Sequence, residues 1–181
     1  MKSKKKINLF HILALSIALY FLSVGCAFLA GLFEPDGVRS TFEYWQLAKA
    51  PSREGFESAE RSRLYSGFGA LGAIIFGCIV FIIVDRRIGY HWLNSLLAIG
   101  VLIGLGFALR EIQFSPQMVM IYLSRWLGVT AIPANVGFGL VTTGIGVVIF
   151  YTHQKQKLHL SRAGEEELKF QFEKNVTTLQ S

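Results

Sequence analysis

Three long stretches of the chain contain no charged side chain, and this feature constrains the fold more than any other. They are Ile7–Phe33, Leu64–Val84 and Ile88–Leu109, with 27, 21 and 22 residues. A helix needs about 20 predominantly apolar residues to cross the hydrocarbon core of a bilayer. One Asp, Lys or Arg at its centre would cost roughly 2.5–3.5 kcal/mol. A fourth charge-free stretch, Trp126–Gln154, contains Pro133 and a later apolar run. The pattern therefore predicts four crossings.

The predicted fold is an all-α integral membrane protein: a four-transmembrane-helix bundle with a short outer-surface interfacial helix and a cytoplasmic tail. The transmembrane domain covers residues 1–153 and the tail covers residues 154–181. Composition agrees with this class, because 52% of the residues are hydrophobic and only 17% are charged, which is more apolar than a soluble domain. The crossings are expected at about 10–33, 65–84, 89–109 and 134–151.

The N-terminus also resembles a secretory signal, since MKSKKK precedes an apolar run and Gly25–Cys26 resembles the end of a lipoprotein cleavage site. The apolar run continues past Cys26 to Phe33, however, which is longer than the apolar region of about 7–15 residues in a signal peptide. Ser23 also stands three residues before Cys26, where a lipoprotein signal usually carries an aliphatic residue. We therefore expect an uncleaved first crossing.

Positive charge sets the expected orientation. Cytoplasmic loops of membrane proteins carry an excess of Lys and Arg, so the lysines before the first crossing place the N-terminus in the cytoplasm. Alternation then makes the protein a multi-pass protein of the cell membrane with both termini cytoplasmic. The net charge of +6 follows from this arrangement, so we expect no nucleic-acid partner. The supporting positive residues are Lys2, Lys4, Lys5, Lys6, Arg86, Arg87, Lys155, Lys157 and Arg162.

Two segments between the crossings are predicted to form short helices on the outer side. The outer cap loop, residues 34–64, has a helical pattern at Thr41–Ala48. The segment 116–128 begins with Ser115-Pro116, a good helix start, and ends near Gly128. With about 12 residues it is too short to cross, so it is either an interfacial lid or a re-entrant element. The tail is predicted to form a helix, with a short strand around residues 168–172 as the alternative.

Small residues recur four positions apart in all four predicted crossings. Small side chains allow membrane helices to approach closely, so these positions are predicted to be helix-packing sites. The predicted set is Ser23, Ala27, Gly31, Gly69, Ala73, Gly77, Gly100, Gly104, Gly139 and Thr143.

Three histidines are the candidate ligands for a cofactor. His11 opens the first crossing, His91 opens the third and His153 ends the fourth, so the predicted topology brings all three to the cytoplasmic boundary. Two histidines on neighbouring helices at one depth can bind a b-type haem or a metal. The alternative is that amphipathic residues collect at membrane interfaces, as Tyr90 and Trp92 do beside His91.

No motif for catalysis is present: the chain has no HExxH, GxSxG, phosphate-binding glycine loop or CxxC. The predicted crossings also contain no Asp, Glu, Lys or Arg, which argues against ion-coupled transport. The leading hypothesis is a non-catalytic membrane subunit that acts as scaffold, anchor or regulatory partner in a membrane protein complex. The alternatives are a homo-oligomeric channel or small permease, and a haem-binding electron-transfer subunit.

Overall fold

A computed structural model describes the protein at residues 7–47, 51–88, 91–112 and 115–179. Within these residues the secondary structure consists of helices without any strand, as the sequence predicts. The helices are α1 (Leu9–Gly31), α2 (Pro35–Leu47), α3 (Arg53–Ile88), α4 (Leu93–Glu111), α5 (Pro116–Leu127) and α6 (Ala131–Leu179).

Three of the described helices are long and apolar enough to cross a membrane. They are α1, the Arg53–Arg86 part of α3 and the Ala131–Lys155 part of α6. The apolar segment of α4, Leu93–Leu109, is shorter. Large apolar side chains such as Phe76, Ile103 and Val148 are exposed on the outer faces of the helices, which monomeric soluble proteins avoid over wide areas. These helices indicate a membrane protein.

Helix α1 lies at the centre of the bundle, in contact with α3, α4 and α6. Leu15, Ala18 and Leu19 of α1 are completely buried, and Phe81 of α3 and Ala98 of α4 pack against them. We call the end where α3 leads into α4 the hairpin end, and the opposite end the cap end. The first turn of α1 and the Asp85 turn of α3 meet at the hairpin end.

Helices α2 and α5 close the cap end. Their side chains Val38, Phe42, Met120 and Ile121 form a second apolar cluster with Phe28 of α1. Both helices are amphipathic, and their apolar faces turn toward the bundle. Helix α5 begins and ends as predicted, with Pro in its first turn and Gly128 at a φ of 66° as its C-terminal cap, a backbone conformation that glycine adopts at low cost.

Two helices extend beyond their predicted ends. Helix α3 starts inside the predicted outer cap loop and continues without a break to Ile88. Asp85 therefore belongs to this helix, although the predicted second crossing ends at residue 84. Helix α6 contains Pro133 in its first turn, where proline is tolerated, and continues through the tail to Leu179. The helical prediction for the tail is confirmed, and the strand alternative is wrong.

Candidate functional site

Asp85 is a carboxyl group inside the protein core. It follows Cys78 and Phe81 at a spacing of seven and four residues, which places the three side chains on one face of α3, and all three are buried. The exposed fraction of Asp85 is 0%. Asp is almost never fully buried without a partner, because an isolated buried charge is costly.

The partner of Asp85 is His11, in the first turn of α1. Nε2 of His11 lies 2.6 Å from Oδ1 of Asp85, and His11 is likewise 0% exposed. Ser95 of α4 donates its hydroxyl hydrogen to the other carboxyl oxygen, Oδ2, at 3.0 Å. Both oxygens of the buried carboxyl group are therefore hydrogen-bonded, as a buried carboxyl group requires.

His153 of α6 completes the arrangement on the other side of His11. Nε2 of His153 lies 2.7 Å from Nδ1 of His11, and the two rings are stacked with centroids 4.9 Å apart. We call His11, Asp85, Ser95 and His153 the His–Asp cluster. Its four members come from α1, α3, α4 and α6, so the cluster ties the four longest apolar helices together at the hairpin end.

Polar groups next to the cluster fix the start of α1. The side-chain oxygen of Asn8 accepts from the backbone N–H of His11, which makes Asn8 the N-terminal cap of α1. The backbone N–H of Asn8 donates to Oδ1 of Asn94 on α4 at 3.3 Å. Gln154, which follows His153, is 6% exposed, and its amide atoms have no hydrogen-bond partner among the described residues.

The hydrogen-bonding geometry restricts where the protons of the cluster lie. A carboxylate only accepts, so a bond to ionised Asp85 requires a hydrogen on Nε2 of His11. The contact between His11 and His153 needs one hydrogen between the two ring nitrogens, and either ring can supply it. The cluster is thus a hydrogen-bonded chain of polar and ionisable groups.

The structure brings two of the three candidate histidine ligands together and places the third elsewhere. His11 and His153 are brought into contact, whereas His91 lies before α4 and its Nδ1 accepts from the backbone N–H of Leu93. A metal bound at about 2.0–2.1 Å by two imidazoles holds their nitrogens about 3.3 Å or more apart, so the 2.7 Å contact leaves no room for an ion. Among the described residues, no group of three or more His, Cys, Asp or Glu side chains is arranged so that it could hold a metal ion. The haem or metal hypothesis stays a prediction that this geometry does not support.

Most of the predicted packing positions lie at close helix contacts. Gly69 of α3 lies against Ala30 and the Cys26 carbonyl of α1, and Gly139 of α6 lies against Leu29. The others behave as follows: Gly31 faces Ser62 and Ser66, Gly77 faces Leu19, Thr143 lies against Gly25, Ser23 is buried, and Ala27 and Ala73 are half-buried. By contrast, a Cβ added at Gly100 or Gly104 of α4 would meet nothing within 4 Å.

Two close approaches between α1 and α6 were not among the predicted positions. A Cβ at Gly25 would lie 2.6 Å from the backbone nitrogen of Thr143, and a Cβ at Gly146 would lie 2.9 Å from the carbonyl oxygen of Ala18. The spacing Gly139, Gly146, His153 repeats every seven residues and marks the α1-facing side of α6. This repeat was the available signal for Gly146 and for the direction of His153, whereas Gly25 of α1 lies outside it.

A separate concavity lies at the cap end. An open cleft of about 760 Å³ is bounded by α2, the end of α5 and the start of α6, with Arg39, Glu43 and Arg125 on its walls. The predicted interfacial segment therefore borders a polar cleft. The cleft shares no lining residue with the cluster. Along α6, its last lining residue, Pro133, precedes His153 by 20 positions, which corresponds to about 30 Å of helix.

Comparisons with protein-family models, with curated proteins and with solved structures gave no match to this chain.

Proposed function

We propose that the protein is a non-catalytic polytopic membrane subunit that acts as scaffold, anchor or regulatory partner in a membrane protein complex. The observation that carries this proposal is the outward Gly100–Gly104 face of α4. Several glycines of α1, α3 and α6 lie against neighbouring helices of the same chain. Among the described glycines with nothing within 4 Å, Gly100 and Gly104 are the pair spaced four residues apart. In a bilayer, glycines four apart favour close packing of a second helix.

The proposal includes α4 as the fourth crossing. Its 19 residues correspond to about 28 Å of helix at 1.5 Å per residue, close to the hydrocarbon thickness of about 30 Å. One side of α4 contacts α1 through Asn94, Ser95, Ala98 and Leu102, which are all buried. The other side exposes apolar residues around Gly100 and Gly104. Such a helix is suited to lie between its own bundle and a partner.

The channel and permease alternative uses the same face if the partner is a second copy of the chain. The buried carboxyl group of Asp85 weakens the sequence argument against ion-coupled transport, because that argument assumed no acidic residue within the packed helices. In such an assembly, the cleft at the cap end would serve as the entrance for a solute. The scaffold proposal remains preferred, because the bundle interior along α1 is filled by apolar side chains.

The test is the size and composition of the assembly formed by the full chain in nanodiscs. We expect the unmodified protein to co-purify with itself or with another membrane chain, and the double variant G100L/G104L to lose that partner. Gly144→Leu is the matched control, because it adds the same side chain at another glycine with nothing within 4 Å. A monomer of 20.2 kDa without any other chain, from the unmodified protein, would count against the scaffold and channel proposals alike.

Cross-linking distinguishes the scaffold proposal from the channel or permease alternative. A photoreactive residue in place of Ile103, which is 56% exposed beside the glycines, is expected to form an adduct with a different membrane protein. Adducts only between two copies of this chain would favour the channel or permease.

A further inference from the structure

We propose that the His–Asp cluster is a reversible binding site for one proton, shared between His11 and His153 and balanced by the carboxylate of Asp85. The inference is independent of the scaffold proposal, since it concerns the inside of one bundle and needs no partner chain. It rests on the distances within the cluster, on its burial and on the chemistry of the two imidazoles.

Two protonation states of the cluster preserve both the His11–Asp85 and the His11–His153 hydrogen bonds. In the first state, His11 carries hydrogen on Nε2 only, and His153 donates its Nε2 hydrogen to Nδ1 of His11. In the second state, His11 carries both ring hydrogens and donates to Asp85 and to His153. Neutral imidazole donates through one nitrogen and accepts through the other, while the cation donates through both. Heavy-atom positions at 2.6 and 2.7 Å therefore suit either state.

The burial of the cluster residues indicates the route of the proton. His153 is 7% exposed, whereas His11 and Asp85 are 0% exposed, so the proton is exchanged with solvent through His153. A proton binds Nδ1 of His153 and forms an N–H bond there. The Nε2–H bond of His153 breaks, and the same hydrogen forms a new bond with Nδ1 of His11. The net change is one added proton, with the positive charge on His11 beside Asp85.

The helices packed around the site contribute the following charged and neutral groups. Helix α3 contributes Asp85, with the thiol of Cys78 two turns away, and α4 contributes the neutral groups of Asn94 and Ser95. Helix α6 contributes His153 and the neutral amide of Gln154.

The flanking charged residues lie outside this interior, since Arg86 and Lys155 are exposed. Asp85 is thus the one carboxylate within hydrogen-bond distance of His11 in the described residues. An ion pair of a protonated His11 with Asp85 leaves the buried cluster without net charge, which low-dielectric surroundings favour.

The experiment is nitrogen NMR of histidine-labelled full-length protein in lipid nanodiscs, recorded between about pH 5 and about pH 9, the range in which histidine changes charge. We expect one coupled transition. At the acidic end, His11 is doubly protonated and His153 carries hydrogen on Nδ1. At the basic end, both rings carry hydrogen on Nε2. If the two rings keep one protonation pattern throughout, or titrate independently of each other, the proposal is wrong.

Three variants test the roles of the individual residues. Asp85→Asn keeps the shape of the side chain and is expected to remove the doubly protonated His11 at the pH where the unmodified protein shows it. His153→Gln is expected to uncouple His11 from the transition. His91→Asn is the control, because His91 bonds locally to Leu93, and it should leave the His11 and His153 signals unchanged.

Helix content from circular dichroism shows whether each variant is folded. If Asp85→Asn does not fold, Ser95→Ala removes only one of the two bonds to the carboxyl group. It should still disturb the His11 signal more than His91→Asn does. An unchanged His11 signal in folded Ser95→Ala and Asp85→Asn protein would also overturn the proposal.

Discussion

Gly25 lies at a close contact between α1 and α6. The place of its missing side chain is taken by the backbone of α6, since a Cβ would lie 2.6 Å from the nitrogen of Thr143 and 2.7 Å from the carbonyl oxygen of Gly139. Backbone atoms cannot rotate away as a flexible side chain can. The contact therefore tolerates no addition without moving the whole helix.

We expect Gly25→Ala to lower the free energy of unfolding by roughly 1–3 kcal/mol, the usual cost of overpacking a tight contact. Gly144→Ala is the matched control: nothing lies within 4 Å of its added methyl group, and alanine favours a helix over glycine by up to about 1 kcal/mol. Reversible unfolding in detergent measures both. An alanine at position 25 that unfolds no more easily than one at position 144 would contradict the close approach.

Glu34 and Arg61 form an ion pair between the end of α1 and α3, outside the apolar segments. Nε and Nη2 of Arg61 donate to Oε1 of Glu34 at 3.2 and 2.8 Å. This hydrogen bond holds the pKa of Glu34 below its ordinary value of 4.5, with smaller help from the hydroxyl of Ser58 and the charge of Arg61. Because the folded-state pKa is lowered, the pair stabilises the fold above the ordinary pKa and loses its effect as the pH falls through the lowered one.

Accordingly, Glu34→Gln is expected to be less stable than the unmodified protein at about pH 6. The difference should disappear at an acidic pH below the lowered pKa, where the carboxyl group is protonated in both the folded and the unfolded state. The melting temperatures of the two proteins at both pH values test this. Asp36→Asn, at an exposed pair within α2, is the control and should change little at either pH. A difference that persists at the acidic pH would assign the effect of Glu34 to packing.

At the scale of the elements, the lengths of α3 and α6 differ most from expectation. The sequence places the second crossing at residues 65–84 and the fourth at 134–151, because hydropathy marks where apolar segments end. A helix ends only where its backbone hydrogen bonding ends, and charged residues after an apolar segment continue a helix readily. Arg53 to Arg63 before the apolar part of α3, and the tail after Tyr151, are both helical for this reason.

A continuous α6 predicts a long, well-defined distance along the tail. Residues 147 and 175 are separated by 28 positions in α6, which corresponds to about 42 Å at 1.5 Å per residue. Spin labels at Val147→Cys and Asn175→Cys, with Cys26 and Cys78 replaced by alanine, should give one narrow distance near that value. Adding Leu158→Pro should shorten and broaden it, because proline breaks a helix interior. A broad, shorter distance without the proline would mean that the helix does not persist.

For the molecule as a whole, the sequence predicted the class and most of the helices, because apolar stretches and turn residues carry local information. It predicted that His11, His91 and His153 lie at one end of the bundle, because topology alone brings the start of the first and third crossings to the end of the fourth. It did not predict which two of them are in contact. It missed Asp85, whose burial depends on α3 continuing past the apolar segment. The outward direction of Gly100 and Gly104 could not be predicted from the sequence either. Periodicity shows that small residues share a helix face, but it does not show which helix covers that face.

The path of the chain through the bundle leads to a prediction about the two termini. Asn8 and His153 lie at the hairpin end, where His11 contacts Asp85 and His153, so the start of α1 and the exit of α6 are on one side of the bundle. The chain reaches that end a second time at Asp85 and must return through α4 before α5 and α6 begin. If all four helices cross, both termini lie on the same side of the membrane.

Protease-accessible tags placed before Met1, between Leu47 and Pro51, and after Ser181 decide this in sealed vesicles. We expect the two terminal tags to be cleaved from the same side and the internal tag only from the other. Three crossings, with α4 lying outside the hydrocarbon core, would put the terminal tags on opposite sides. That result would require the His11–His153 contact to be absent in the membrane, since a contact at 2.7 Å cannot join groups on opposite faces of a bilayer about 30 Å thick.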